Sequence, residues 1–133
     1  MTDRTMNRVA HFEIPSDDVE RAVKFYRDVF GWEIKKWEGA SNYWLIMTGP
    51  MEEAGGINGG IMKRMSSMEK SAPNAFVCSI EVADLDEMIT KVKANGGKVA
   101  EPKMPVPGMG WLSYLIDTEE NIFGMFQTDR SVK

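Results

Sequence analysis

His11-Phe12-Glu13-Ile14-Pro15-Ser16-Asp17-Asp18-Val19 and Val77-Cys78-Ser79-Ile80-Glu81-Val82-Ala83-Asp84-Leu85 are the stretches that decide the fold. An offset of 66 pairs Ile14 with Ile80, Asp18 with Asp84, Val19 with Leu85 and, further on, Gly31 with Gly97. Each copy reads as a strand, an acidic helix start, an amphipathic helix, a glycine and a further strand. Only two copies are present, so the pattern points to a duplicated unit and not to a solenoid.

The first copy can be followed outward. Val9 to Ile14 alternates and is bounded by Pro15, which predicts a strand. Asp17 to Glu20 resembles a capping box that opens a helix. Val19, Ala22, Val23, Tyr26 and Phe30 fall at helical spacing and give that helix one buried face, ended by Gly31. Strands are predicted at Trp32 to Trp37, Tyr43 to Thr48 and Gly55 to Met62, and a polar link follows. In the second copy Ala75 to Val82 is a strand. Asp84 caps a helix carrying Leu85, Met88, Ile89 and Val92, which stops at Asn95-Gly96-Gly97. Lys98 to Glu101 is a short strand, and Met104 to Gly110, with its prolines and glycines, reads as a loop. Trp111 to Ile116 and Ile122 to Gln127 close the chain. Each half is therefore βαβββ, an α+β fold. Residues 1–133 are read as a single domain: module one at 8–63, a linker at 64–74 and module two at 75–128.

Composition narrows the functional classes. At 43% hydrophobic, 133 residues suffice for one core. The net charge of −4, without a basic run, argues against nucleic acid and anionic membrane as partners. Cys78 is the sole cysteine, so no intrachain disulfide can form and a cytoplasmic location is expected. No apolar run approaches the ~20 residues of a membrane span, and Met1 to Arg8 lacks the apolar stretch of a signal peptide. Nothing in the chain has the pattern of a covalent catalytic motif.

With His11-Phe12-Glu13-Ile14, Phe25-Tyr26-Arg27-Asp28-Val29-Phe30-Gly31-Trp32 and the turn Asp117-Thr118-Glu119-Glu120-Asn121, residues 8 to 128 resemble the vicinal oxygen chelate superfamily. This is the group of glyoxalase I, bleomycin-resistance proteins and extradiol dioxygenases. The resemblance implies two tandem βαβββ modules forming a concave half-barrel pocket. It also implies a metal held by one residue from the first and fourth strands of each module. His11 stands at the first such position, Val77 at its counterpart, Gly124 at a third, and Asn58 or Gly60 at the fourth. Transition metals need about three imidazole, carboxylate or thiolate ligands, so no metal and no cofactor are expected.

Strand alternation supplies the candidate site. Phe12 and Ile14 match Cys78 and Ile80 as the helix-facing set, which turns His11 and Glu13 inward. The sequence leaves His11 open as a structural remnant, a hydrogen-bonding group for a ligand, or a metal ligand. Glu13 can orient it as a base or simply satisfy it. Trp44 and Trp111 are expected as an apolar wall, with Tyr43, Tyr114 and Phe126 nearby, and Asn58 sits among glycines that clear space. The leading expectation is a metal-free protein that binds a small, partly apolar molecule, as bleomycin-resistance proteins sequester a drug. The alternatives are a lyase or isomerase using His11 and Glu13, or an interaction protein defined by its dimer. A homodimer is expected, with Met51, Met62, Met65 and Met68 as a source of apolar surface.

Overall fold

The structure is a computed structural model that describes residues 5–39, 42–50, 52–53, 55–64 and 75–133. The linker expected at 64–74 lies, but for Arg64, outside these residues, as do Met51, Met65 and Met68.

Module one runs β1 (Arg8–Ser16), α1 (Val19–Phe30), β2 (Glu33–Lys36), β3 (Tyr43–Met47) and β4 (Asn58–Lys63). Module two runs β5 (Val77–Glu81), α2 (Leu85–Ala94), β6 (Lys98–Val106), β7 (Gly110–Ile116) and β8 (Ile122–Thr128). The strands form one open eight-stranded sheet in the order β2-β3-β4-β1-β5-β8-β7-β6. The α+β duplication is thus built as two four-stranded halves joined along β1 and β5.

The register at that seam states the duplication in coordinates. β1 and β5 pair antiparallel with His11 opposite Ser79, Phe12 opposite Cys78 and Glu13 opposite Val77. Shifting both members of each pair by 66, one up and the other down, returns the same set of pairs, so the axis relating the halves passes between Phe12 and Cys78. The helix starts obey it too. Asp18 accepts from the Arg21 amide at 3.0 Å, and Asp84 accepts from the Glu87 amide at 3.0 Å. Both satisfy an N–H that the helix itself leaves without a partner. The helix ends do not obey it. Gly31 closes α1 in the left-handed region at φ 71°, whereas Gly96, at φ 96°, takes that role after α2. Module two ends its helix sooner, and Gly97 is pressed instead toward the Ile116 carbonyl.

Both helices cover one face. Phe12, Ile14, Val19, Val23, Ile34, Ile46 and Ile61 form the core under α1, and Val82, Leu85, Leu115 and Met125 form the core under α2. Each fully buried aliphatic here contributes roughly 1.5–3 kcal/mol. The opposite face carries a third cluster of Met62, Val77, Tyr114 and Ile122, with Tyr43, Met104 and Leu112 against it.

Two segments depart from the sequence reading. Met104 to Val106, expected in a loop, continues β6, with Pro105 opposite Trp111. β6 is the sheet's edge, where a proline costs no ladder bond, and the register shifts on either side of Glu101 bend the strand. In the Asp117 turn, Glu120 adopts φ 69°, a left-handed conformation disfavoured for a residue with a Cβ. Glu120→Gly should therefore raise stability by about 0.5–1 kcal/mol, read as a shift in urea midpoint at constant slope.

Candidate functional site

The uncovered face of β1 carries His11 and Glu13. Glu13 is 5% exposed, an uncommon position for a carboxylate unless its oxygens are satisfied. Both are. Tyr43 on β3 donates its hydroxyl to Oε2 at 2.9 Å, and Tyr114 on β7 donates to Oε1. β7 lies three strands from β1, roughly 14 Å across a flat sheet. Side chains standing upright on such a sheet could not meet, so the Tyr114–Glu13 bond shows that the sheet curls into a concavity whose floor these residues fill.

Tyr43 also meets His11, with Nε2 and the hydroxyl 2.8 Å apart. His11 Nε2 lies 4.0 Å from Glu13 Oε2, so the tyrosine connects imidazole and carboxylate, which do not bond directly. Burial, and then the negative Glu13 carboxylate, push both phenol pKa values upward; the two tyrosines act as donors and not as acids. His11 sits at the mouth with its side chain 37% exposed. Burial of the ring lowers its pKa from 6.5, opposed in part by Glu13. The ring is therefore neutral at neutral pH. As pH falls, the unfolded chain takes up the proton before the folded one, so the stability present above 6.5 is lost as pH drops through the folded value. Melting temperature should fall on mild acidification, and His11→Ala should flatten that part of the profile.

Glycines make the arrangement possible. A Cβ at Gly60 would lie 2.2 Å from the Tyr43 hydroxyl oxygen, and one at Gly124 would lie 2.5 Å from the Ser79 hydroxyl oxygen. Gly60 is opposite Glu13, and Gly124 is opposite Ser79, the counterpart of Glu13. Gly60 and Gly124 are therefore equivalent, and the fourth-strand position left open between Asn58 and Gly60 falls on Gly60.

The other residues singled out in the sequence lie elsewhere. Asn58 is beside His11 in register, but its Oδ1 accepts from the Thr48 amide at 2.7 Å and the Thr48 hydroxyl at 3.1 Å, tying down the end of β3. Trp44 packs against the core under α1. Trp111 packs against the core under α2, with Lys103 Nζ 4.7 Å from its ring centroid. Both tryptophans face the helices, and neither forms a wall of the concavity. Tyr43 and Tyr114 take the inward places. One signal could have ranked them first: an inward-facing carboxylate needs donors, and tyrosine brings a hydroxyl on an apolar ring.

The donor set does not fit a transition metal. Of the four positions implied by the superfamily, Gly60, Val77 and Gly124 have no donor side chain, and both Glu13 oxygens accept from tyrosines. Among the described residues no three of His, Cys, Asp and Glu lie close enough together to hold an ion.

Comparison with known proteins agrees with this architecture. Residues 8–49 match the family described as Bleomycin resistance protein-like N-terminal. A glyoxylase-like domain-containing protein of Didymella fabae is 32% identical over 120 residues, covering 86% of this chain and 88% of that protein. CFP32 of Mycobacterium bovis, named as a glyoxylase, is 25% identical over 124 residues; the chain spans only 45% of its length. Among solved structures, a methylmalonyl-CoA epimerase in complex with methylmalonyl-CoA and NH4+ superposes with a TM-score of 0.66 at 15% identity, covering 97% of this chain and 99% of that one. The Streptomyces coelicolor methylmalonyl-CoA epimerase in complex with 2-nitronate-propionyl-CoA gives 0.65 at 16% identity, covering 93% and 99%. At such identity these two establish the fold alone. With its duplicated βαβββ sheet and its likeness to the Didymella protein, the chain belongs to the glyoxalase and bleomycin-resistance group of the vicinal oxygen chelate superfamily.

Proposed function

We propose that this chain binds a small, partly apolar molecule at the mouth of the concavity without a metal ion, with His11 as the polar contact. The observation that carries this reading is the capture of Glu13 by Tyr43 and Tyr114. Among the described residues it takes the inward carboxylate beside His11 away from metal duty and leaves a neutral, partly exposed imidazole next to the Tyr43 hydroxyl. Two epimerases of the same fold are described with coenzyme A esters bound, which supports a small molecule as the class of ligand. The net charge of −4 speaks against nucleic acid. No helix among the described residues is long and apolar enough to cross a membrane, and a cytoplasmic location fits the same reading.

A thermal-shift screen of metabolites, with and without EDTA, tests it. A ligand that binds only the folded chain raises the melting temperature by mass action. At least one partly apolar compound should do so equally in both conditions, and His11→Ala should weaken that shift while costing roughly 1 kcal/mol or less in the unliganded protein. A screen whose every hit requires divalent metal contradicts the proposal.

The second reading, a lyase or isomerase, draws on the Glu13–Tyr43–His11 chain, which orients an imidazole as a general base would need. Turnover abolished by His11→Ala would favour it; altered affinity alone would favour the binder.

A homodimer belongs to the same proposal, with a different surface from the one the sequence suggested. Met62 is buried on the concave face and adds nothing to an outer surface. Phe25, Val29, Phe30 and Phe76 are exposed on the helix-covered side, with Phe30 stacked on Tyr26 and Trp32. Light scattering at micromolar concentration should give a mass near twice 15.0 kDa; a monomeric mass counts against pairing.

A further inference from the structure

We infer that Tyr43 is a positioning residue that fixes His11 as its Nε2–H tautomer, so that the mouth presents Nδ1 as a lone-pair acceptor and selects ligands bearing an O–H or N–H donor. This deepens the proposed binding function and rests on it for the ligand, but not for the tautomer. The argument is a count of protons. A phenol has one hydrogen to give and an oxygen that accepts. Tyr43 gives its hydrogen to Glu13 Oε2, which as a carboxylate can only accept. The 2.8 Å contact between Tyr43 and His11 Nε2 must then be filled by a hydrogen on the nitrogen. A neutral imidazole carries a single N–H, so the lone pair falls on Nδ1. Tyr114 donates to the other Glu13 oxygen, Oε1, which leaves Oε2 to Tyr43. Among the described residues Nδ1 has no hydrogen-bond partner, and the side chain is accessible at the mouth. An acceptor in that place fits a hydroxyl, amide or amine hydrogen on an otherwise apolar molecule, and disfavours groups that can only accept.

His11 is the chain's one histidine, so long-range proton–nitrogen NMR on 15N-labelled protein reads its tautomer without assignment. The wild type at neutral pH should show a protonated Nε2 and a pyridine-like Nδ1. Tyr43→Phe should raise the population of the Nδ1–H form. Tyr114→Phe removes a donor from the same carboxylate but leaves the Tyr43–His11 link, so it should keep the wild-type tautomer and controls for general loosening. Phenol added to the wild type should shift the Nδ1 resonance, and anisole, which has no hydrogen to donate, should not. A wild-type Nδ1–H ring, or a tautomer balance that Tyr43→Phe leaves unchanged, overturns the positioning role. Phenol without effect on Nδ1, or anisole with an equal effect, overturns the ligand class. A metabolite that raises the melting temperature of a protein whose ring is Nδ1–H would leave the binding function standing and this inference refuted. The predicted tautomer in a protein that no metabolite stabilises would do the reverse for the positioning role.

Discussion

Replacing Tyr43 and Tyr114 together by Phe should lower the unfolding free energy by about 4 kcal/mol. Each substitution removes only an oxygen, so packing is kept. What is lost is the pair of donors on a carboxylate that is 5% exposed, and hydrogen bonds to a charged group are worth ~1.5–3 kcal/mol each. The charge left behind is buried without compensation. Adding Glu13→Met to the double variant should recover most of the loss, because removing both sides of a buried polar contact is far milder than removing one. Urea titrations of the single, double and triple variants supply the comparison. A double variant within about 1 kcal/mol of wild type would mean that water already satisfies Glu13 and that the tyrosine clasp does not exist.

Gly60→Ala should cost about 2–3 kcal/mol, the upper part of the range for overpacking. The added carbon would lie 2.2 Å from the Tyr43 hydroxyl oxygen and 2.3 Å from the ring carbon that bears it. A free side chain would swing aside. Tyr43 cannot do so without leaving both Glu13 and His11. Tyr43→Leu in the same background should relieve the clash, so the two changes should cost less together than their sum. Independent, additive losses would show that Tyr43 is free to move.

Much of this was legible in the chain. The 66-residue offset marked the duplication, and the pairing of β1 with β5 then put Phe12 and Cys78 at the axis between the halves. Alternation in β1 told inside from outside because its two faces differ chemically: Phe12 and Ile14 against His11 and Glu13. The same rule failed on β3 and β7. Tyr43-Trp44-Leu45-Ile46-Met47 is apolar on both faces because one packs under α1 and the other lines a filled concavity, so the pattern carries no phase. Trp44 and Trp111 suit an apolar wall as aromatics on strands, but their strand phase puts them under the helices. The pairing of β1 with β4, which set Gly60 opposite Glu13, depends on contacts across 47 residues, and nothing local specifies it. β6 was cut short because prolines end most strands, and only its place at the sheet's edge explains why Pro105 does not.

The central claim is a ligand site that works without a metal ion, and metal content tests it most directly. Protein purified without chelator should carry transition metal far below one ion per chain by elemental analysis, with EDTA leaving its melting temperature unchanged. Stoichiometric zinc, nickel or iron that disappears in His11→Ala would contradict the account.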